Sequence, residues 1–320
     1  HGLAAVMALD KACKVTIPDN ARILRNLVHG ANFIDSHILH FYLLALPDFF
    51  DGPGMLPWQP AWCVDRRLDS AQNATLGDHY VQAADMRRKA HEMGALFGGR
   101  LPHPSTFVVG GVTVTPRSAR IAAFRDYLNE LIPFIRNVYI PDVELLAGTY
   151  ADYHAIGRGP GNLIAYGVFD LDAEGTNRLL KRGRIVNGSP NVEKIDAAAI
   201  AEDVTCGWYE DSTNSLNPAS GATAPQDPAA KPNAYTWSKA PRYAGQPYEA
   251  GPLARMWVNG DYRNGVSVMD RHRARAQETP KLIEGVGAPL YVGNIAPVRD
   301  EYGRPMAGSD QAASRSSLVE

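Results

Sequence analysis

The 320-residue sequence has little that would direct it to a membrane or to nucleic acid. It contains no apolar run of about 18 residues, so we predict no direct membrane span. Its 32 lysines and arginines nearly balance its 34 aspartates and glutamates, which gives a formal charge of -2. That balance argues against a nucleic-acid partner and against a polybasic membrane-binding surface. The first residues also lack a charged leader and a small-residue cleavage site, so no signal peptide is predicted.

Cysteine is equally scarce. The chain has only Cys13, Cys63 and Cys206, which are odd in number and far apart in sequence. This spacing predicts neither a disulfide framework nor a zinc site. We therefore expect three ordinary, largely buried thiols, as is common for free cysteine.

Apolar residues are abundant at 45%, which is enough for a sizeable core. Their 3.6-residue period predicts a long helix that begins at an N-cap, Asp19 or Asn20, and runs nearly to Pro47. This helix is apolar on more than one stripe, which is typical of the middle of a bundle. The pattern is already helical at His1, and because termini are usually polar and exposed, we expect further sequence before it.

Three more helices and several short strands are predicted. The helices run from Asp78 to a glycine cap at Gly98, from Pro116 to about Ala147, and within residues 262–278. Alternating residues around the glycines at 110–111 predict a small strand pair, and glycine turns within 150–195 predict further short strands. Residues 210–234 are polar and proline-rich, as in a surface loop. The fold class predicted is α+β: a long-helix bundle with small peripheral β-sheets and ordered loops, in one domain.

Four stretches have a composition that suggests chemistry. In HILH, His37 and His40 share one helix face, either as the start of a metal site or, as we favour, as core histidines bonded by partner helices. The glycines of residues 157–162 lack the strand and helix that a phosphate-binding loop needs, so we predict a glycine turn. The basic residues of 271–278 are typical of a solvated or ion-paired helix face. The irregular segment 240–256 is of the kind that covers or shapes a site.

Several of these stretches together resemble the large subunit of a nickel–iron hydrogenase, of the membrane-associated uptake type. They occur in that family's order over about residues 1–280. They are HGLAAVMALDKA, PDNARILRNL, SHILHFYLLALPDF, RKAHEMGALFGGRLPHP, GRGPGNLIAYGVF, YTWSKAPRYAGQPYEAGPLARM and MDRHRARAQE. One departure is VVGGV, where the family commonly has a proline before the paired glycines. The resemblance implies a hydrogenase large-subunit core over residues 1–285 and a divergent or poorly ordered segment over residues 286–320.

The resemblance also implies a cofactor. In the family, a nickel ion is held by four thiolates, two of which bridge to an iron that carries carbon monoxide and cyanide. The thiolates come from two C-x-x-C motifs, and His1 matches the histidine that ends the first of them. Cys13, Cys63 and Cys206 match none of the four, so this chain alone is expected to hold no metal ligand and no complete catalytic set. We expect it to bind no nickel–iron centre and to be inactive by itself.

Residues that match the surroundings of that centre can still be named. The resemblance implies that His1 steadies the metal-ligand loop by hydrogen bonding, as outer-shell groups do. It places Ser36 and His37 on the part of the long helix that comes close to the active site. His40 is a weaker candidate for the same surroundings, and His154 is a candidate for facing the partner subunit and its nearest iron–sulfur cluster.

For the parent protein, the resemblance implies oxidation of H2 to protons and electrons, which leave through an iron–sulfur small subunit. It implies a location at the periplasmic face of the membrane, reached through the small subunit, with the cytoplasm as the alternative. A second hypothesis is a metal-free relative, like the quinone-site subunit of respiratory complex I. A third is a helical scaffold without chemistry, whose sign would be a polar, capped start before His1.

Overall fold

The computed structural model describes residues 1–56, 58–60 and 65–287. The chain divides into two compact units. The first contains His1–Ile156, Phe169–Leu179 and the described chain from Val268, and the second contains Gly157–Val168 and Leu180–Ser267. Among the described residues, no helix is both long enough and apolar enough to cross a membrane.

The first unit is a helical bundle. Its helices are α1 (Gly2–Cys13), α2 (Asp19–Ile38), α3 (Ser70–Gly98), α4 (Ser118–Phe134), α5 (Ile140–Thr149) and α7 (Val268–Gly287). Helix α2 packs on α3 and α7, α3 packs on α4, and α7 also contacts α4 and α5. The predicted long-helix bundle is therefore confirmed, and the last helix runs past residue 278, where the prediction ended it.

Helix α2 lies at the centre of this bundle because its apolar residues are not confined to one stripe. It continues without a break into a π-helical segment, Leu39–Ala45, and a 3-10 turn, Leu46–Asp48. The predicted extent of the helix is confirmed, but the predicted N-cap is wrong. Pro18 is the N-cap residue, and Asp19 lies in the first turn, where its carboxylate accepts a hydrogen bond from Arg22 at 2.9 Å.

Helix α3 begins eight residues earlier than predicted, at Ser70 instead of Asp78. The reason is a capping box. The Asp69 carboxylate accepts the backbone N–H of Gln72 at 2.8 Å, and the Gln72 side chain accepts the N–H of Asp69 at 3.0 Å. Two backbone donors that a helix start leaves free are thus satisfied. The predicted end is confirmed, since Gly99 follows Gly98 with a φ of 73°.

The helix predicted from Pro116 to about Ala147 is present as a continuous helical stretch with an irregular middle. Helices α4 and α5 are joined by a π-helical segment, Ile135–Tyr139. Pro133 lies in the last turn of α4 and Pro141 in the first turn of α5. Because proline has no N–H to donate to the helical ladder, its neighbourhood is where a wider turn replaces regular α geometry.

The strands form three two-stranded sheets in the part of the chain that the structure describes. Strands β1 (Phe107–Val108) and β2 (Gly111–Val112) make the hairpin predicted around the paired glycines. The others pair β3 (Leu163–Asp170) with β4 (Arg178–Ile185) and β5 (Ile200–Asp203) with β6 (Ala240–Tyr243). Helix α6 (Pro252–Asn259) belongs to the second unit. The α+β class with small sheets is confirmed.

Two further expectations from the sequence concern the cysteines and the segment 286–320. Cys13 and Cys206 are exposed, so the prediction of buried thiols is wrong for both, and Cys63 lies outside the described residues. Cys13 is exposed because it ends α1, of which only Val6 and Asp10 are buried. Of the segment 286–320, the structure describes only the end of α7, so its divergence and the extent of the core domain stay predictions.

Candidate functional site

The centre of the bundle contains a buried hydrogen bond between the side chains of His37 on α2 and Glu278 on α7. His37 is 2% exposed and Glu278 is fully buried, and the His37 Nε2 lies 2.8 Å from a Glu278 carboxylate oxygen. On the other ring edge, Arg275 Nη1 lies 3.4 Å from His37 Nδ1. Since guanidinium only donates, this network places a proton on Nε2 and leaves Nδ1 as the acceptor. The Tyr139 hydroxyl donates to the His37 carbonyl at 3.2 Å and fixes the same turn.

A pair of imidazoles joins the π-helical segment after α2 to α7. The rings of His40 and His272 are 5.7 Å apart between centroids. The Nδ1 atom of each is buried and has no hydrogen-bond partner among the described residues. Burial, with the nearby Arg275 charge, lowers the pKa of each imidazole to about 4. Both rings are therefore neutral at physiological pH.

A third polar cluster joins the π-helical segment after α2 to α3 and α5. The Tyr42 hydroxyl donates to Asp142 at 2.6 Å, and His79 Nδ1 lies 2.9 Å from both Asp142 oxygens. Burial raises the pKa of Asp142, and the hydrogen bonds from Tyr42 and His79 oppose that rise. Burial and the adjacent carboxylate raise the pKa of Tyr42, so its hydroxyl stays a donor. The cluster is a fixed structural link between three elements.

The predicted site residues fall into a buried group and an exposed group. His37 and His40 lie within the bundle, where His37 contacts Glu278 and His40 lies beside His272. His1, Ser36 and His154 are exposed. His1 lines a cavity of about 200 Å³, together with His29 and His103. His154 Nδ1 lies 3.9 Å from Asp270, too far for a direct hydrogen bond.

Comparison with known proteins identifies the family. The family model described as nickel-dependent hydrogenase matches residues 1–66 and 57–284. The chain belongs to the nickel-dependent hydrogenase family. It is 40% identical, over 94% of its length, to the periplasmic NiFeSe hydrogenase large subunit of Desulfomicrobium baculatum. It is 27% identical, over 91% of its length, to the uptake hydrogenase large subunit of Rhizobium leguminosarum bv. viciae.

Solved hydrogenase structures agree with this family assignment. The reduced, active NiFeSe hydrogenase of Desulfomicrobium baculatum matches with a TM-score of 0.83 at 34% identity, over 96% of this chain and 67% of that one. The as-isolated, oxidised enzyme of D. vulgaris Hildenborough matches with a TM-score of 0.84 at 36% identity, over 90% of this chain and 64% of that one. The chain covers 64% and 60% of the two curated relatives named above, so it spans less than two thirds of their length.

The described residues do not fit a nickel–iron centre. Within residues 1–56, 58–60 and 65–287, no group of three or more histidine, cysteine, aspartate and glutamate side chains could hold a metal ion. Cys13 and Cys206 are exposed, and they lie in different compact units. Soft metals of this kind need several converging thiolates. The described chain can thus form surroundings for such a centre, but it offers no set of ligands.

Sequence reasoning named His37 and His40 but missed the residues that partner them. Glu278 and His272 were part of a stretch predicted to be a solvated or ion-paired face, whereas Glu278 is fully buried. The correction has a simple cause: this face of α7 packs on α2. A signal existed, because Met269, His272 and Ala276 recur at helical spacing and continue to Leu282 and Ile283.

Proposed function

We propose that this chain is the scaffold portion of a hydrogenase large subunit whose full-length protein oxidises H2 to protons and electrons. The observation that supports this most directly is the extent of the family match, which runs from residue 1 to residue 284. The backbone similarity extends over the same elements, at TM-scores above 0.8.

In this proposal, the protein's own residues hold the surroundings of the centre. The contacts with Arg275 and Glu278 hold His37 in one tautomer. Its Nδ1 then stays the acceptor and its Nε2 stays the donor. His1 would support the metal-ligand loop from the start of α1, and Ser36 would face the same region from α2. His40 and His154 complete the proposed set.

The proposal includes the cofactor and partner of the full-length protein. The cofactor would be a nickel–iron centre with carbon monoxide and cyanide on iron, held by four thiolates. The electrons would leave through an iron–sulfur small subunit, and the complex would lie at the periplasmic face of the membrane. A periplasmic large subunit among the relatives supports that location. We further propose that residues 1–285 belong to the core and that the sequence diverges after them.

The decisive experiment is metal analysis of the full-length protein, purified without oxygen together with its partner subunit. We expect stoichiometric nickel, iron in excess of nickel, and H2-dependent reduction of a viologen dye. The 320-residue chain expressed alone should contain no nickel and reduce no dye. Full-length protein without nickel and without H2-dependent reduction would refute the proposal and would favour the metal-free, quinone-linked alternative.

A matched pair of variants tests the role of the buried hydrogen bond between His37 and Glu278. Glu278→Gln removes the buried carboxylate that fixes His37, whereas Glu284→Gln changes an exposed glutamate of the same helix. We expect Glu278→Gln to lower the rate of dye reduction and to shift the infrared bands of the iron-bound ligands, with no change for Glu284→Gln. Unchanged infrared bands and unchanged dye-reduction rates in Glu278→Gln would refute the proposal that His37 supports the metal centre.

A further inference from the structure

Helix α1 is weakly held by apolar contacts. Although its sequence is rich in alanine and leucine, only Val6 and Asp10 are buried. Met7 is 38% exposed and Leu9 is 51% exposed. Apolar burial on this face therefore contributes little to fixing the helix on the bundle. Some other interaction must set its position.

That interaction is a buried ion pair. Asp10 is 4% exposed and Arg25, on α2, is 3% exposed. Arg25 Nη1 donates to an Asp10 carboxylate oxygen at 2.6 Å. The remaining Arg25 donors reach the β1–β2 hairpin, with Nη2 2.6 Å from the Val108 carbonyl and Nε 3.2 Å from the Gly111 carbonyl. The second Asp10 oxygen accepts the N–H of Gly110 at 2.7 Å.

This arrangement forms a closed loop of contacts from α1 to α2, from α2 to the hairpin, and from the hairpin back to α1. Both Asp10 oxygens have partners, as a buried charge requires. Gly110 has a φ of 83°, in the left-handed region that favours glycine, and this conformation turns its N–H toward Asp10. Gly110 and Gly111 thus bind Asp10 and Arg25 in addition to forming the turn of the hairpin.

We infer that Asp10 and Arg25 are positioning residues that, through α1 and together with the hairpin, fix the orientation of His1 and of the chain that leads into it. His1 lies nine residues before Asp10 and immediately precedes α1, about 13 Å away along the axis of a regular helix. A buried pair with directional bonds specifies one docked arrangement, whereas apolar contacts would tolerate several. The inference rests on the proposed function for its consequence at the metal centre, but not for its structural part.

The structural part is tested by hydrogen exchange on the full-length protein in its complex. Arg25→Lys keeps the charge but cannot replace a planar group that reaches one carboxylate and two carbonyls. Asp10→Asn keeps an acceptor for Gly110 but presents amide hydrogens to Arg25 or leaves its charge unpaired. We expect amides of α1 to exchange about tenfold faster in both variants, because local opening becomes easier.

Two controls separate positioning from general stability. Arg22→Lys makes the same substitution one turn earlier on α2, at a more exposed ion pair, and should change exchange in α1 by less than about twofold. Leu128→Ala destabilises the bundle at α4, away from α1. If Leu128→Ala accelerates exchange in α1 as much as Arg25→Lys does, or if Arg25→Lys leaves it unchanged, the inference is wrong.

The wild-type protein provides a test that needs no variant. If the ion pair joins α1 to the hairpin, their amides should exchange through one shared opening, with equal opening free energies. The hairpin is reported by the Thr113 N–H, which donates to the Thr106 carbonyl at 2.9 Å. Clearly different opening free energies for α1 and Thr113 would overturn the inference even if both variants failed to fold.

The consequence at the metal centre has its own measurement. In the full-length protein, Arg25→Lys should lower nickel content or split the infrared bands of the iron-bound ligands, while Arg22→Lys should do neither. Normal nickel content and unchanged bands in Arg25→Lys would refute this consequence. Wild-type protein without nickel would refute the proposed function instead, and the exchange data would still decide whether Asp10 and Arg25 hold α1.

Discussion

Acid should destabilise the bundle through His40 and His272. The perturbation is a change from pH 7 to pH 5 in the full-length subunit. The pKa of each imidazole is lowered from an ordinary 6.5 to about 4, chiefly by burial, with Arg275 adding to the effect. The charged or titratable groups nearby are Arg271 and Arg275 of α7, together with His37 of α2. All of these oppose a further positive charge when they are protonated.

The sign and the size follow from linkage. Between pH 6.5 and about 4, the unfolded chain binds protons at these two sites and the folded chain does not, so the free energy of unfolding falls as the pH falls. At pH 5, each imidazole alone would lower the free energy of unfolding by about 2 kcal/mol, from 1.36 kcal/mol per pKa unit. Because His40 is partly accessible to water and the two rings interact, we halve the sum to about 2 kcal/mol.

The assay is the urea midpoint at pH 7 and pH 5 for wild type and for a His40→Gln/His272→Gln double variant. Buried acids such as Asp142 titrate in both proteins, so the difference between them isolates the two imidazoles. The double variant should lose about 2 kcal/mol less than wild type on acidification. His103→Asn is the control, since His103 is exposed, and it should follow wild type. Equal losses in wild type and the double variant would refute the assignment.

Two further predictions concern stability. Tyr42→Phe leaves the buried Asp142 carboxylate without the donor now 2.6 Å away, and should lower the free energy of unfolding by about 1–3 kcal/mol in urea titration; an unchanged midpoint would contradict this. Gly94→Ala would place a Cβ 2.2 Å from Leu101 Cδ1 and should cost about 1–3 kcal/mol. Gly148→Ala, in α5 with no atom within 4 Å of the new Cβ, should instead raise the melting temperature; similar shifts for both glycine variants would contradict the packing argument.

The sequence predicted helices well wherever a local signal decided them. The apolar period of α2 and the glycine pair after α3 are such signals, and both predictions hold in the structure. The start of α3 was missed although the D-x-x-Q pattern from Asp69 to Gln72 was present in the sequence. The capping box is the stronger physical signal for a helix start, because it satisfies two backbone donors at Asp69 and Gln72.

Contacts between distant parts of the chain could not be predicted in the same way. His37 and Glu278 are 241 residues apart, and nothing local in either segment specifies that α2 and α7 pack together. Sequence did offer a weaker clue for Asp10 and Arg25. Each interrupts an apolar helical stripe, since Asp10 lies four residues after Val6 and Arg25 lies between Ala21 and Val28 at helical spacing. A charge in such a position needs a buried partner, though the sequence does not say which.

The buried polar groups of the first unit are better explained by orientation than by stability. An ion pair in a protein interior contributes little net stability, because desolvation offsets much of the attraction. Yet the Asp10–Arg25 ion pair and the His37–Glu278 hydrogen bond both join elements that carry residues proposed to surround a metal centre. Apolar side chains could fill the same volume, but they would not fix one angle of approach. Under the proposed function, metal ligands from other parts of the full-length chain need that angle fixed, because small displacements of a supporting residue change the geometry it supports.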